Sequence, residues 1–193
     1  MKRILTSALV VMATTLGFSQ EVKFGLKGGV NLATVKVIDL EEDEIHIPDY
    51  RTSFYAGGLV EFPLGDKLYG QVEVLYVSNG AKQDKNQVII NQINVPFMVK
   101  YNVVDGLNVV GGGYLGGILG YKVKSGNRII KADPRNISFL DGGLILGAEY
   151  NLPNNGLFFD ARYNLGLANV VKPEEEDGII KNRGFQIGLG YKF

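Results

Sequence analysis

The chain has 193 residues, of which 46% are hydrophobic, so it is long enough for one domain with a sizeable apolar surface. It has no cysteine and one histidine, which excludes a disulfide scaffold, a thiolate metal site, a cysteine nucleophile and a multi-histidine metal site. Lys and Arg together number 20, as do Asp and Glu, so the zero net charge gives no electrostatic case for nucleic acid as a partner.

The first 19 residues carry the three parts of a secretory signal peptide. Met1-Lys2-Arg3 is a basic start, residues 4–18 form an uncharged and mostly apolar run, and Gly17-Phe18-Ser19 offers small residues at a cleavage site. The run is shorter than the roughly 20 residues that a transmembrane helix needs. We therefore predict a signal peptide over residues 1–19 and one domain over residues 20–193; a retained anchor or a buried N-terminal helix is the alternative.

From residue 22 onward, apolar and polar side chains alternate, as is typical of β-strands. In the last segment, five apolar side chains at odd positions from Phe185 to Phe193 alternate with Gly, Gln and Lys. Glycine is about twice as frequent as in average proteins, but it is mixed with Val, Ile, Leu, Tyr and Phe and shows no collagen-like period. The pattern predicts an all-β fold with strands near residues 22–32, 53–63, 68–79, 88–101, 107–122, 139–151, 156–166 and 184–193.

The connections between these predicted strands are of two kinds. Short, turn-like connections at 64–67, 102–106 and 152–156 alternate with longer, charged ones near 35–52, 80–87, 123–138 and 167–183. Outer-membrane barrels have short periplasmic turns and longer extracellular loops. An even number of antiparallel strands also closes a sheet without a free edge. We therefore predict an eight-stranded antiparallel up-and-down transmembrane β-barrel in the lipid of the outer membrane.

The direction of the apolar face separates a membrane barrel from a soluble ligand-binding barrel. Aromatic residues lie near both ends of this face, as the two membrane interfaces favour. The turn-end set is Phe62, Tyr101, Tyr150, Phe159 and Tyr191, and the loop-end set is Phe54, Tyr76, Tyr121 and Phe185. The predicted strands, of about 10–13 residues, are long enough to cross the hydrocarbon when tilted. The terminal Phe193 matches the C-terminal aromatic that outer-membrane assembly machinery recognises in its clients, so that machinery is a predicted partner.

The opposite face carries charges that a membrane barrel would place in its lumen. The predicted lumen charge network is Lys23, Lys27, Glu61, Glu73, Lys100, Glu149, Asp160, Arg162 and Lys192. With Asp141 near the loop end, five cations would face five carboxylates, and leaving such buried charges unpaired would be costly. Side chains just fill the interior of an eight-stranded barrel. We therefore predict paired charges in a closed lumen, neither a porin nor a catalytic carboxylate pair.

Seven segments resemble, in this order, the PorT-like outer-membrane β-barrel domain family: VKFGLKGGVNLATV, FYAGGLVEFPL, QVEVLYVSNGAK, INVPFMVKY, LDGGLILGAEYNL, FDARYNLGLANV and NRGFQIGLGYKF. The resemblance covers nearly all of the chain after the predicted signal peptide. It implies an eight-stranded outer-membrane barrel of the small OmpA/OmpX type. The role in protein secretion and surface motility of the member that names the family is not implied, because no motif here marks a functional site. Pro96 fits the family pattern, and we expect it at a bulge or strand irregularity because it cannot donate a ladder hydrogen bond.

Residues that could carry chemistry are few. An acyl-transfer or protease site could be built from His46, Asp43, Glu44, Asp49 and Ser53, although a solvated loop histidine is the favoured interpretation. The acidic runs at 41–44 and 174–177 offer oxygen ligands for Ca²⁺ but lack EF-hand spacing. The glycines at 111–113 and 116–117 are not followed by a helix that could bind phosphate. No catalytic residue, metal site or cofactor is predicted.

The predicted loops differ in charge. Residues 35–50 carry one Lys and six Asp or Glu, a net charge of −5, whereas residues 122–136 carry five Lys or Arg and one Asp, a net charge of +4. These loops could pair with each other or form a recognition patch, and both possibilities stay open. We predict a non-enzymatic integral outer-membrane barrel with a structural role or an interaction, through its extracellular loops, with a protein or surface ligand. The alternatives are a periplasmic, lipocalin-like small-molecule-binding barrel and, less favoured, an outer-membrane hydrolase or acyltransferase.

Overall fold

A computed structural model of the chain describes residues 22–39, 45–83, 86–125, 128–131, 139–170 and 178–193. The predicted signal peptide and the acidic runs at 41–44 and 174–177 lie outside these residues. Within the described parts, no helix has the length and hydropathy of a membrane span.

The described residues form ten antiparallel strands of one sheet. They are β1 (Lys23–Asp39), β2 (Ile45–His46), β3 (Asp49–Pro63), β4 (Leu68–Gln83), β5 (Asn86–Val104), β6 (Leu107–Ser125), β7 (Arg128–Lys131), β8 (Leu140–Asn151), β9 (Leu157–Gly166) and β10 (Gly178–Lys192). The two short strands extend longer ones, because β2 pairs with β1 beyond β3, and β7 pairs with β6 beyond β8. The sheet therefore has eight positions, in the order β10-β9-β8-β6-β5-β4-β3-β1.

The first and last long strands close this sheet into a barrel. β1 pairs with β10 along a continuous register, from Gly25 opposite Lys192 to Asp39 opposite Gly178. Because each long strand has a partner on both sides, its backbone N–H and C=O groups are satisfied within the sheet, as the hydrocarbon core requires. The predicted eight-stranded, antiparallel, up-and-down barrel is confirmed.

The strands are longer than the alternation indicated. They run from 10 residues in β9 to 19 in β5 and β6, although roughly 9–11 suffice to cross a membrane. The additional residues lie at the loop end, where β1 continues to Asp39 and β10 begins at Gly178, in segments that were predicted as loops. Only residues 84 and 85 lie between β4 and β5, so the long connection predicted over 80–87 was wrong. Lysines such as Lys36 suggested loops there, but a strand that projects past the membrane tolerates charge.

Pro96 does not sit at a bulge but at a strand irregularity, the second of the two predicted possibilities. The register between β4 and β5 is the same on both sides of it, since Val72 pairs with Phe97 and Leu75 pairs with Asn94. The ladder has a gap between these two pairs, opposite Pro96. Proline lacks the N–H that would complete the ladder at this point, so β5 loses pairing locally and needs no extra residue.

A register shift occurs instead in the ladder between β5 and β6, where Leu119 is an extra residue. Such an insertion reverses the face to which the following side chains point. Tyr121, predicted to face lipid in the loop-end aromatic set, therefore lies inside the barrel, where it packs against a cluster that includes Ile90 and Ile118. Its assignment to the aromatic set was wrong, because alternation counted along the sequence cannot detect the extra residue.

The outward face of the barrel is apolar, as predicted. Leu146 is 67% exposed, and large apolar side chains on other strands are also exposed, among them Leu26, Val74, Val99, Leu115 and Leu189. Aromatic rings meet at the loop end of this face: the ring centroids of Phe54 and Tyr76 are 5.7 Å apart, and those of Tyr163 and Phe185 are 4.7 Å apart. A continuous apolar belt on this scale is unfavourable in water and suits contact with lipid.

Leu146→Arg is expected to impair folding into lipid bilayers. An arginine at mid-membrane on the lipid face destabilises such barrels by roughly 2–4 kcal/mol. Urea unfolding in phosphatidylcholine vesicles measures the change. Leu64→Arg, in the turn between β3 and β4, is the matched control and should change stability little, because Leu64 lies outside the strands. Equal stability of the two variants would contradict the lipid-facing position of Leu146.

Candidate functional site

Inward-facing side chains divide the lumen into three zones along the barrel axis. On β5, the inward residues from the turn end to the loop end are Lys100, then Met98 and Pro96, then Asn94 and Gln92, then Ile90 and Val88. On β10, the order is Lys192, then Gln186 and Asn182, then Ile180. Both strands therefore pass from a charged zone at the turn end, through a zone of amides, to an apolar zone at the loop end.

Two lysines and two glutamates from four strands meet at the turn end of the charged zone. Lys100 of β5 forms ion pairs with both Glu61 of β3 and Glu149 of β8. Lys192 of β10 binds the same two carboxylates, with its Nζ 2.8 Å from Glu61 Oε2 and 2.7 Å from Glu149 Oε1. All four side chains are buried. Each charge therefore has two opposite partners across the barrel.

A second ion-pair cluster lies further along the lumen. Lys27 Nζ is 3.1 Å from Glu73 Oε1 and 3.0 Å from Asp160 Oδ2. Arg162 Nη1 is 2.8 Å from the other oxygen of Glu73, Oε2. Tyr55 donates its hydroxyl to Asp160 Oδ1 at 3.1 Å. Glu73 and Asp160 therefore each accept from more than one donor, which offsets the cost of burying their charges.

Gln71 joins the two clusters. Its Nε2 donates to Glu73 at 2.6 Å, and its Oε1 accepts from Lys100 Nζ at 3.1 Å. Gln186 similarly accepts from Arg162 Nε at 2.7 Å. Eight of the nine predicted network residues thus belong to one neutral network of four cations and four carboxylates. The two glutamines were not predicted as part of the network, although their inward positions in the alternation were the signal that could have found them.

Lys23 is the ninth predicted residue, and it stays outside the network. No described carboxylate lies within ion-pair distance of it. It pairs in register with Glu61 but lines a cavity of about 700 Å³ at the turn end. Lys23 is the first residue of β1, where the barrel opens to solvent, so water can solvate its ammonium group.

Asp141, expected to add a fifth carboxylate with a cation nearby, is instead held by neutral donors. It is 2% exposed and accepts hydrogen bonds from Asn182 at 2.8 Å, from Gln92 at 3.1 Å and from the Gly142 N–H at 2.7 Å. None of the described cations forms an ion pair with it. The amide zone therefore stabilises this charge through dipoles.

The middle of the lumen is filled. A void of about 10 Å³ lies between the ion pairs, no more than the space for one water. Two glycines make room for aromatic side chains: a Cβ on Gly188 would lie 2.1 Å from the Tyr55 hydroxyl, and one on Gly190 would lie 2.3 Å from the Phe158 ring. The described residues thus close the centre of the lumen.

The described members of the catalytic set considered from the sequence, His46, Asp49 and Ser53, make no hydrogen bond or ion pair with one another. Ser53 Oγ lies 2.9 Å from the carbonyl oxygen of Asn31 and 2.5 Å from that of Ser78. The Ser53 hydroxyl is therefore hydrogen-bonded to the backbone. His46 is exposed at the loop-end mouth. Asp43 and Glu44 lie outside the described residues. Among the residues that the structure does describe, no three His, Asp or Glu side chains are grouped to hold a metal ion.

Arg162→Met is expected to destabilise the barrel by about 3–5 kcal/mol, because it leaves the buried Glu73 and Asp160 to share Lys27. Urea unfolding in vesicles measures the loss. Lys23→Met is the control that removes a lumen cation with no ion pair, and it should be nearly neutral. Adding Glu73→Gln to Arg162→Met restores charge balance and should recover part of the stability. Equal effects of Arg162→Met and Lys23→Met would show that the ion pairs are unimportant for stability.

Comparison with known proteins agrees with this architecture. Residues 18–172 match the family model described as "Outer membrane protein beta-barrel domain". The fold is similar to that of Neisserial surface protein A (NspA), with a TM-score of 0.57, and to Ail, the attachment invasion locus protein of Yersinia pestis, with a TM-score of 0.52. Each is 14% identical in sequence, and each comparison covers 90% of this chain and 99% of the other. None of the curated proteins matches this sequence.

These observations decide between a membrane barrel and a lipocalin-like one. A lipocalin-like barrel would enclose its apolar face, whereas here that face is outside and the charges are inside. The family model spans more than half of the chain. The chain belongs to the outer membrane protein beta-barrel domain family and is an integral β-barrel of the outer membrane.

Proposed function

We propose that this protein is a non-enzymatic outer-membrane barrel whose interactions are made by its extracellular loops and projecting strand ends. The observation that carries the proposal is the filled lumen: eight buried charged side chains pair across it, and a void of about 10 Å³ remains between them. A solute has no path through such a barrel. The surfaces left for a partner are at the two ends.

The loop end supports this proposal best. The strands are 15–19 residues long in β1, β3, β4, β5, β6 and β10, so they project beyond the roughly 9–11 residues that cross the membrane. The connections at the other end are short, with residues 64–67, 105–106 and 152–156 between strands. Outer-membrane barrels place their short turns in the periplasm, which assigns the projecting end to the cell exterior. The names of the two neighbours, a surface protein and an attachment invasion locus protein, are consistent with this role.

Two finer assignments form part of the proposal. Membership of the PorT-like group is supported by the order of the seven resembling segments, and no role in secretion or motility is proposed. Two observations support the absence of enzymatic activity. The lumen carboxylates form ion pairs with lysines and an arginine, and the Ser53 hydroxyl is hydrogen-bonded to backbone carbonyls.

The purified barrel is expected to show no large, non-selective conductance in planar lipid bilayers. The paired charges and the Tyr55 and Phe158 rings prevent a continuous column of water through the lumen. A porin reconstituted under the same conditions is the positive control, and heat-modifiability on a gel shows that the protein is folded. Reproducible conductance steps of porin size would overturn the closed lumen and indicate a diffusion pore.

A photo-crosslinking amino acid placed in the segment 132–138 is expected to capture an external partner on intact cells. The same amino acid at position 66, in the turn between β3 and β4, is the matched control on the periplasmic side. Specific adducts at 132–138 would support interaction through the loops. Adducts at neither position, across growth conditions, would indicate a purely structural role, and external labelling at position 66 would overturn the orientation.

We also propose that Phe193 serves as the C-terminal signal for the assembly machinery. Its ring is 72% exposed and packs edge-on against Tyr191, with centroids 5.4 Å apart, while its backbone N–H donates to Phe24 O at 2.8 Å. Phe193→Ala is therefore expected to reduce the amount of assembled barrel in cells while changing the stability of refolded protein little. A loss of refolded stability that matches the loss in cells would assign Phe193 a structural role instead.

A further inference from the structure

The loop-end mouth of the barrel has an apolar interior. Beyond the amide zone, Ile90 and Ile118 form a buried cluster with Val170, and Val88, Tyr121 and Ile180 pack against it. Val35 and Ala81 are also buried here. The sequence alternation had assigned four of these eight positions, Val35, Ala81, Val170 and Ile180, to loops, so no inward face was predicted for them. This mouth differs from the rest of the lumen, where charges and amides lie among smaller apolar clusters such as Met98, Val110 and Ile145.

Six of these eight side chains, all except Ile118 and Val170, line a cavity of about 330 Å³. Its walls are mainly apolar: Val35, Val37, Pro48, Ala81, Val88, Ile90, Tyr121 and Ile180. The volume lies at the lower end of the range for small-molecule sites, and apolar walls with a few polar groups are typical of them. It is about as large as ten liquid waters, so it exceeds an ordinary packing defect.

The segment that follows β9 packs against residues that line this cavity. The Val170 N–H donates to Ile180 O at 2.9 Å, and Asn169 Oδ1 accepts from the Ile180 N–H at 2.9 Å. These bonds fix Val170 against the wall, where it is buried. The cavity therefore remains open beside the segment that contains Val170. Most of the cavity walls belong to strands that are paired in the sheet.

The polar groups at the cavity indicate the charge of a ligand. Lys82, His46 and Asn86 are the polar lining residues, and all three are exposed. Of the described lining residues, none is Asp or Glu, although Asp49 of β3 pairs in register with Lys82. An apolar ligand with a negative head could bury its apolar part among the valines and isoleucines and keep its head beside Lys82.

We propose that this cavity binds a small amphipathic carboxylate, an apolar chain or ring with one anionic head, entering from the loop end. Burial of the apolar part provides the driving force, and the Lys82 ammonium selects a negative head over a positive one. The closed centre of the lumen makes this a binding site that opens at one end. The assignment of the site to the cell exterior rests on the orientation in the proposed function.

Octanoate is the probe, measured by isothermal titration calorimetry with the full barrel in phosphatidylcholine nanodiscs. Saturable binding above that of empty nanodiscs is expected. Ala81→Phe should fill the cavity and weaken binding at least about tenfold. Ala56→Phe is the matched control, since Ala56 is exposed and lies on the outward, apolar face of β3, and it should bind like the unmodified protein.

Lys82→Glu tests the selection of charge without altering the apolar wall, because Lys82 is exposed at the rim. Octanoate binding should weaken several-fold, and binding of octylammonium should strengthen. No saturable octanoate binding, or equal binding by Ala81→Phe and Ala56→Phe, would overturn the proposal. Unchanged preference between octanoate and octylammonium in Lys82→Glu would overturn the anionic head. Titration of purified barrel does not depend on orientation, so its failure is distinguishable from failure of the surface-interaction role, which crosslinking on cells tests.

Discussion

The structure depends on one constraint: a barrel surrounded by hydrocarbon must neutralise inside every charge that it cannot place outside. The eight charged side chains of the lumen satisfy it by sharing partners. Lys100 and Lys192 divide Glu61 and Glu149 between them, and Arg162 and Lys27 hold the two oxygens of Glu73. Pairing across the lumen links strands that are not neighbours in the sheet. The same contacts that lower the cost of burial therefore fix the cross-section of the barrel and leave no water-filled path through it.

Glycine makes this packing possible. Eight strands curve tightly, and an inward side chain at every position would overfill the interior. Gly188 lies beside the Tyr55 hydroxyl and Gly190 beside the Phe158 ring, so small residues on β10 accept large ones from β3 and β9. Each ring also makes a cation–π contact. Lys192 Nζ is 4.8 Å from the Phe158 centroid, and the Arg162 guanidinium carbon is 5.5 Å from that of Tyr55. The high glycine content is thus a packing requirement of a small, charged lumen.

Alternation predicted the fold because its cause is local: in a strand, successive side chains point to opposite media. It placed Leu146 outside and Glu73 and Arg162 inside, and short turns identified the periplasmic end. It failed where the cause is not local. The extra residue at Leu119 reverses the face of Tyr121, and only pairing with β5 reveals it. The strand ends near Lys36 and Lys181 carry charge because they stand outside the membrane, and charge alone resembles a loop. Which partners an inward group meets depends on strand order around the barrel, so alternation could place Gln71 inside but could not predict its partners or the neutral environment of Asp141.

The charged, amide and apolar zones of the lumen have different roles along the barrel axis. Ion pairs at the turn end hold the strands together, and amide hydrogen bonds around Asp141 continue this polar filling without further cations. Beyond the amide zone, the strands stay paired past the membrane. Strand pairing therefore closes the loop-end wall there, and paired charges in its interior are not required. Its inward positions are free to be apolar, and they line a cavity. A closed centre and an apolar mouth are therefore compatible. The paired charges that prevent passage also bound the lumen below the cavity in which a small molecule could bind.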